Sequence, residues 1–454
     1  MTLPPKPESR SEKVSLWRYA RLFRQDILSA QPARLYHAWM AEFRTPFFSS
    51  YLVNQPDLIA TVLKERPGDF PKSDRVGEGL RPLLGNSVFL TNGETWERQR
   101  RIIDPAFEGG RLRETFPAIW AAAEAMAERL GQRCGDAIEI EAETSHAAAD
   151  VIFRTLFSIP IENEVARAVF DEFRRYQRSQ PLMNIAALLP LPRWLPRFFS
   201  RQTRQSARRI RRLITDLTRQ RMDEIRAGTA PDDLATKIMT TVDPVTGKTF
   251  NTEEMVDQVA IFFLAGHETS ASALAWALYL LATHPDWQDR VAEEADGLVS
   301  PEFGDISRLS VSRDVFREAL RLYPPVPMMV RETSTSEQFR DRCLKAGAQV
   351  VISPWHLHRH DRLWDNPDGF DPARWQTENG RSCQRTAFIP FSAGARVCPG
   401  AGFAMIEGPL LLSRLLREYR VTAVEGRTAV PVAHLTVRAR NGIHLRLSPR
   451  SRTV

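Results

Sequence analysis

The sequence predicts a mainly α-helical protein with a smaller β region, and three observations carry that expectation. Helical patterns fill residues 110–322; short β-like runs occur near the start and after Pro324; and no linker, repeat or low-complexity segment divides the 454 residues. One interlocked domain is therefore expected over residues 35–454, behind a polar, Pro-rich extension at 1–34.

The helices rest on periodicity. RETFPAIWAAAEAMAERL (113–130) and SARRIRRLITDLTRQRMDEIRA (206–227) place apolar residues at three- and four-residue steps. Val259 to Ala282 is apolar and long enough to span a membrane, but His267 and Glu268 fall near its middle. Each ionisable group there would cost about 2.5–3.5 kcal/mol, so a long buried helix is the better reading. Asn251 followed by Glu254 marks its start, and His284-Pro285 its end.

The strands rest on shorter signals: RTPFFSSYLVNQ (44–55), AQVVISP (348–354) and HLTVRA (434–439). A small sheet built from both ends of the chain is expected beside the helices. The segment at 181–199, apolar and broken by four prolines, reads equally as a connection over a pocket mouth or a packed surface loop.

Composition narrows the class. An apolar fraction of 43% supports a sizeable core. Cys134, Cys343, Cys383 and Cys398 show no CxxC pairing, which argues against a disulfide scaffold or a cysteine-rich zinc site and suits a reducing cytosol. MTLPPKPESRSEK has no apolar core of a signal peptide or anchor, so a cytoplasmic protein without a transmembrane segment is expected. A net charge of +7 favours acidic partners, and no motif points to nucleic acid. Ten arginines against one acid, Asp216, between Arg193 and Arg221 read first as a solvated face, with a membrane surface or an acidic partner as alternatives.

The stretch FSAGARVCPG (391–400) is the most informative. A cysteine there could be an inert thiol, a nucleophile or a metal ligand. Pro399 suits the first position of a helix, which places Cys398 at a helix N-terminus where an anion is favoured by about 0.3–1 kcal/mol. Gly394 and Gly400 allow close backbone approach, and Arg396 can meet a carboxylate.

Phe391, Gly394, Arg396, Cys398 and Gly400 together resemble the haem-binding loop of the cytochrome P-450 family. That resemblance implies the family's helix-rich fold, haem b as cofactor, and Cys398 as the axial ligand of its iron. Further marks follow in the family's order. AGHET matches the oxygen-binding helix at Ala265, Gly266, Glu268 and Thr269, implying that Glu268 and Thr269 deliver protons. Gly266 would let a ligand approach the helix backbone closely. EALR and FDPARW supply Glu318, Arg321 and Arg374, a structural triad, with Trp375 where phenylalanine is more usual. Trp96, Arg100, Arg331 and Arg396 resemble the contacts to the haem propionates. His356, His358 and His360 would share one face of a strand, but the family carries a similar stretch there without metal.

The resemblance implies a monooxygenase that inserts one atom of O2 into an apolar small molecule of fatty-acid, terpenoid or steroid type. Electrons would come from a separate ferredoxin or flavodoxin with its reductase, since no flavin or iron–sulfur signature is present. A peroxide-using or O2-independent relative, and more remotely a haem-binding sensor, are the alternatives. Expected pocket walls are the segment after Phe70, residues 181–199, Phe262 and Phe263, Val326 to Val330, and His434 to Thr436.

Overall fold

A computed structural model describes residues 3–12, 14–44, 49–179, 200–298, 301–433 and 435–450. The 181–199 connection and His434 lie outside the described residues. The principal helices are α1 (Leu16–Gln25), α2 (Gly93–Ile103), α3 (Gly109–Gly131), α4 (Ile140–Phe157), α5 (Glu164–Ser179), α6 (Arg201–Ala227), α7 (Thr252–Thr283), α8 (Ser310–Leu322) and α9 (Ala401–Glu418). No helix among the described residues is long and apolar enough to cross a membrane.

The long run at 252–283 forms α7, with the boundaries expected of it. Asn251 Oδ1 accepts from the Glu254 N–H at 2.9 Å, and Glu254 Oε2 accepts from the Asn251 N–H at 2.9 Å. This reciprocal cap satisfies two donors that a helix start would otherwise leave bare. From Ser270 to Leu281 every side chain is buried, as expected of a helix that is apolar on all faces. α4 and α6 pack along it, and α8 and α9 cover its C-terminal half.

The sheet does join both ends. β1 (Met40–Arg44), β2 (Ser49–Val53), β4 (Met329–Glu332) and β7 (Gln349–Ile352) form one sheet in the order β1-β2-β7-β4, with β2 parallel to β7. β3 (Ala137–Glu139) pairs with β11 (His444–Pro449), which pairs with β8 (Tyr419–Ala423). β5 (Glu337–Phe339) and β6 (Arg342–Leu344) make a separate pair. β9 (Pro431–Ala433) and β10 (Val437–Ala439) form a short hairpin. That hairpin is tied to α7, because the Val437 carbonyl accepts from Ser272 Oγ at 2.5 Å and Trp276 Nε1 at 3.3 Å. The N-terminal stretch lies along the body. Pro4 and Pro7 are buried, and the Pro5 carbonyl accepts from Tyr323 Oη at 2.8 Å.

The three histidines do not alternate on a strand, because Pro354–Leu357 turns as a short helix. His356 Nδ1 lies 2.8 Å from Ser353 Oγ, His358 Nε2 accepts from the Ile389 N–H at 2.9 Å, and His360 stacks on Trp39 with centroids 4.4 Å apart. Each has its own packing role.

Glu318 holds this region together. Its Oε1 and Oε2 accept from Arg321 at 2.8 and 2.9 Å, and Oε1 accepts from Arg374 Nε at 3.2 Å. The two guanidiniums donate onward to the carbonyls of His358, Asn366 and Gly369 at 2.8–2.9 Å, which fixes the segment between α8 and the cysteine loop. Trp375 packs edge-on to Trp364, centroids 5.9 Å apart, so the departure from phenylalanine is absorbed by packing. Glu318→Ala would leave two buried guanidiniums without their counter-charge. A loss of about 3–5 kcal/mol is expected, measured as the shift in urea unfolding free energy.

Candidate functional site

The cysteine loop starts from its turn chemistry. The Cys398 N–H donates to the Phe391 carbonyl at 2.9 Å, which closes the loop, and Gly394 takes φ +66°. A Cβ on Gly394 would stand 1.9 Å from the Leu63 carbonyl oxygen, so this glycine is required by neighbouring backbone. Gly400 has φ −82° and is the N-cap of α9. The helix therefore begins two residues later than expected. Pro399 precedes it, and the Ala401 N–H is used by the Cys398 carbonyl at 3.2 Å. Only the Gly400 N–H serves the sulfur.

The protein body encloses Cys398, yet the side chain keeps free surface. Both hold only if the sulfur faces an interior space and not packed atoms. Burial pushes the thiol above its ordinary pKa, against the opposing pull of the Gly400 N–H, Arg100 and Lys72. The pull of the helix terminus does not by itself outweigh burial here. Coordination to a metal would, since a bound thiol is deprotonated outright.

The opposite wall shows the same signature. In the middle of α7, Ala265 is exposed, while Phe262, Gly266 and Thr269 are partly exposed. Positions 262, 265, 266 and 269 form one helical stripe, so that stripe borders interior space. Thr269 Oγ1 donates to the Ala265 carbonyl, the four-residue back-bond that loosens a helix locally. Gly266 has a second reason: a Cβ there would stand 2.3 Å from Ile152 of α4. Phe263 points the other way. It packs on Phe153, Phe157 and Phe173 and belongs to the core, not to a pocket wall. Glu268 is also turned aside, accepting from Gln177 Nε2 at 2.5 Å and Thr436 Oγ1 at 2.8 Å. Ser270 Oγ donates at 2.7 Å to Glu407 of α9, whose buried carboxyl is pushed up to about 8.

Beside the loop stands a cluster of cations. Arg396 donates to the Thr91 carbonyl at 3.0 Å and Asn92 Oδ1 at 2.8 Å, and its guanidinium lies 4.1 Å from the Trp96 ring centroid. Arg100 pairs with Asp104 at 2.7 Å and donates to the Val397 carbonyl at 2.7 Å. Arg331 is buried with only a 3.4 Å contact, to the Val330 carbonyl. Lys72, bridged to Arg331 through the backbone, donates Nζ to the Phe89 carbonyl at 2.7 Å. Desolvation lowers Arg331 and Arg396 to about 10, with Arg331 and Arg100 adding to the shift of Arg396. Lys72 is lowered well below its usual range by burial, then by Arg396, Arg331 and Arg100. The sequence points to the three arginines and Trp96 but carries no local signal for Lys72, nor for Asn92, whose Oδ1 also accepts from the Lys72 N–H at 3.0 Å.

One buried and three partly buried cations held by carbonyls and dipoles, with one carboxylate among the four, suit an anionic ligand. A sulfur with free surface lies in the same interior. These residues fit a haem whose two propionates meet the cations and whose iron meets Cys398.

The comparisons agree. The family model described as Cytochrome P450 matches residues 42–445. The chain is 32% identical to cyclooctat-9-en-7-ol 5-monooxygenase of Streptomyces melanosporofaciens, covering 91% of this chain and 88% of that protein. It is 31% identical to pentalenene oxygenase of Streptomyces avermitilis, covering 91% of each. Among solved structures, the haem domain of cytochrome P450DA superposes with a TM-score of 0.82 at 24% identity, over 99% of this chain and 98% of that one.

Two outcomes follow. Gly394→Ala should lose at least about 1–3 kcal/mol in urea unfolding, because it combines a left-handed φ with a clash against Leu63. Lys72→Met should leave the haem-free fold no less stable, since it relieves repulsion, yet release haem to an acceptor globin faster than the parent.

Proposed function

The chain belongs to the cytochrome P450 family and is a monooxygenase of it, and from that premise we propose that it oxygenates a compact apolar substrate of the terpenoid type. The observation that carries the site assignment is the enclosed Cys398 with free surface, flanked by Lys72, Arg100, Arg331 and Arg396. Two relatives are named for oxygenation of cyclooctat-9-en-7-ol and pentalenene, and the apolar side chains bordering the interior support a similar substrate here.

Haem bound at Cys398 supplies dioxygen activation, with the thiolate favouring O–O cleavage. The residues of this chain do the rest. Lys72, Arg331, Arg396 and Arg100 would hold the propionates and neutralise their charge. The Gly400 N–H, aimed at the sulfur, tempers its charge. Thr269 holds its hydroxyl against the Ala265 carbonyl, at the edge of the interior, where it can pass a proton to oxygen. Glu268, one residue before it, is the proton source in this reading, and its carboxyl must leave Gln177 or Thr436 to serve. Phe262 and the Val326 to Val330 segment, partly exposed apart from the buried Pro327, would form apolar walls that exclude water and hold a hydrocarbon.

The family requires a redox partner. A small acidic ferredoxin or flavodoxin suits the basic net charge, and turnover with NADPH and no added redox protein would contradict that part. Thr269→Ala should divert reducing equivalents to hydrogen peroxide while substrate still shifts the ferric haem spectrum. Unchanged coupling would count against the proton role. A terpenoid and fatty-acid panel read by the same optical shift tests the substrate class. A response confined to fatty acids would overturn it.

A further inference from the structure

The counter-charge of Glu268 also acts on a second carboxylate, that of the partly buried Glu141. Its Oε1 lies 3.6 Å from Arg438 Nη2 on β10, in addition to the bonds from Thr436 and Gln177. Glu141, in the first turn of α4, accepts from the N–H of Ala439, the residue after Arg438, at 3.1 Å. Arg438 thus pairs with a carboxylate of α7 and acts electrostatically on one of α4, which is held by the next backbone N–H. The other charged and titratable groups here are Glu139 on the strand before α4, Arg174 on α5, and His267 on α7. His267 is kept neutral by burial, with Ser145 Oγ at 2.5 Å. Desolvation is the main reason that Glu141 is pushed up to about 7. Arg438 and the Ala439 N–H oppose the shift, while Glu139 and Glu268 add to it.

We propose that Glu141 is a positioning residue for Glu268, acting through the shared guanidinium of Arg438. While Glu141 is neutral, Arg438 belongs to Glu268 and helps to keep that carboxylate on the hairpin, away from Thr269. Once ionised, Glu141 draws the guanidinium to itself and repels Glu268, which then turns along α7 toward Thr269. The inference rests on the reading that Glu268 and Thr269 deliver protons. It adds no chemical step and sets only where the carboxylate rests. Protons entering from solvent near neutral pH would thereby govern how often the oxygen site is supplied.

The test uses the haem-loaded protein with its electron donor, and measures hydrogen peroxide released per electron pair from about pH 6 to 8, across the expected transition. The parent should release less peroxide as pH rises, with one inflection near the Glu141 transition. Glu141→Gln should keep the acid-side value throughout, and Arg438→Met should give the alkaline-side value throughout, both with the inflection lost. A second readout needs no turnover. Glu141 titrates higher in the folded protein than its ordinary 4.5, so its contribution to stability is fully present below that value and is lost as pH rises through about 7. Glu141→Gln should remove that part of the fall in urea midpoint. A difference from the parent that is the same at every pH, in either readout, would mark Glu141 as merely structural and overturn the proposal. If Glu268→Gln and Thr269→Ala leave peroxide unchanged, the proton reading itself fails. If they raise it while Glu141→Gln keeps the parental inflection, only the present inference fails.

Discussion

One carboxylate in a dry interior, that of Glu318, balances two guanidiniums, and the cysteine loop depends on that balance. Arg321 and Glu318 have no exposed side-chain surface, and Arg374 has 4%. Charges so placed are tolerable only when every donor finds an acceptor. Here the surplus donors take main-chain carbonyls at 358, 366 and 369. The network thus converts an electrostatic requirement into a fixed backbone path from the end of α8 to the loop that presents Cys398. Hydrophobic packing alone would leave that path free to slide, because apolar contacts carry little directional information.

The opposite logic governs the cations around the site. Lys72, Arg331 and Arg396 are left with weak or dipolar partners, and their pKa values are lowered first by desolvation, with repulsion from neighbouring cations adding to the shifts of Lys72 and Arg396. The fold supplies the energy that holds them together, through α2, the sheet and the loop. A dianionic ligand then gains what the apoprotein lacks. Glu318 is a completed network and the cation cluster an incomplete one, and that difference separates scaffold from binding site in this molecule.

Much of this was legible in the sequence, for local reasons. Asn251 and Glu254 form their cap within four residues, and proline breaks at Pro285 and Pro324 act on their own neighbours. The resemblance of FSAGARVCPG located Cys398 because the loop is one continuous segment. What escaped depends on distance or on a single turn of helix. Lys72 meets Arg331 through a backbone bridge between segments far apart in the chain. Phe262 and Phe263 differ by one residue, yet that step of about 100° sends one toward the interior and the other into the core. α9 begins after Gly400 because the Ala401 N–H turns back to the Cys398 carbonyl, a competition that helix propensity does not reveal.

Glu268 shows the same lesson at the level of chemistry. A motif places an acid beside an alcohol in sequence, and on a helix that adjacency puts the two side chains on different faces. Successive polar residues of α7 reach for separate neighbours: His267 for Ser145, Glu268 for Gln177 and Thr436, Ser270 for Glu407, Ser272 for the hairpin. Each bond removes the cost of a buried polar group, and together they tie α7 to four other elements. A helix so tethered cannot open at Thr269 without feeling α4, α5, α9 and the β9–β10 hairpin at once. The polar groups along this stretch are therefore the ones that make α7 answer to its surroundings, and a carboxylate free to swing would have to be released by one of those neighbours.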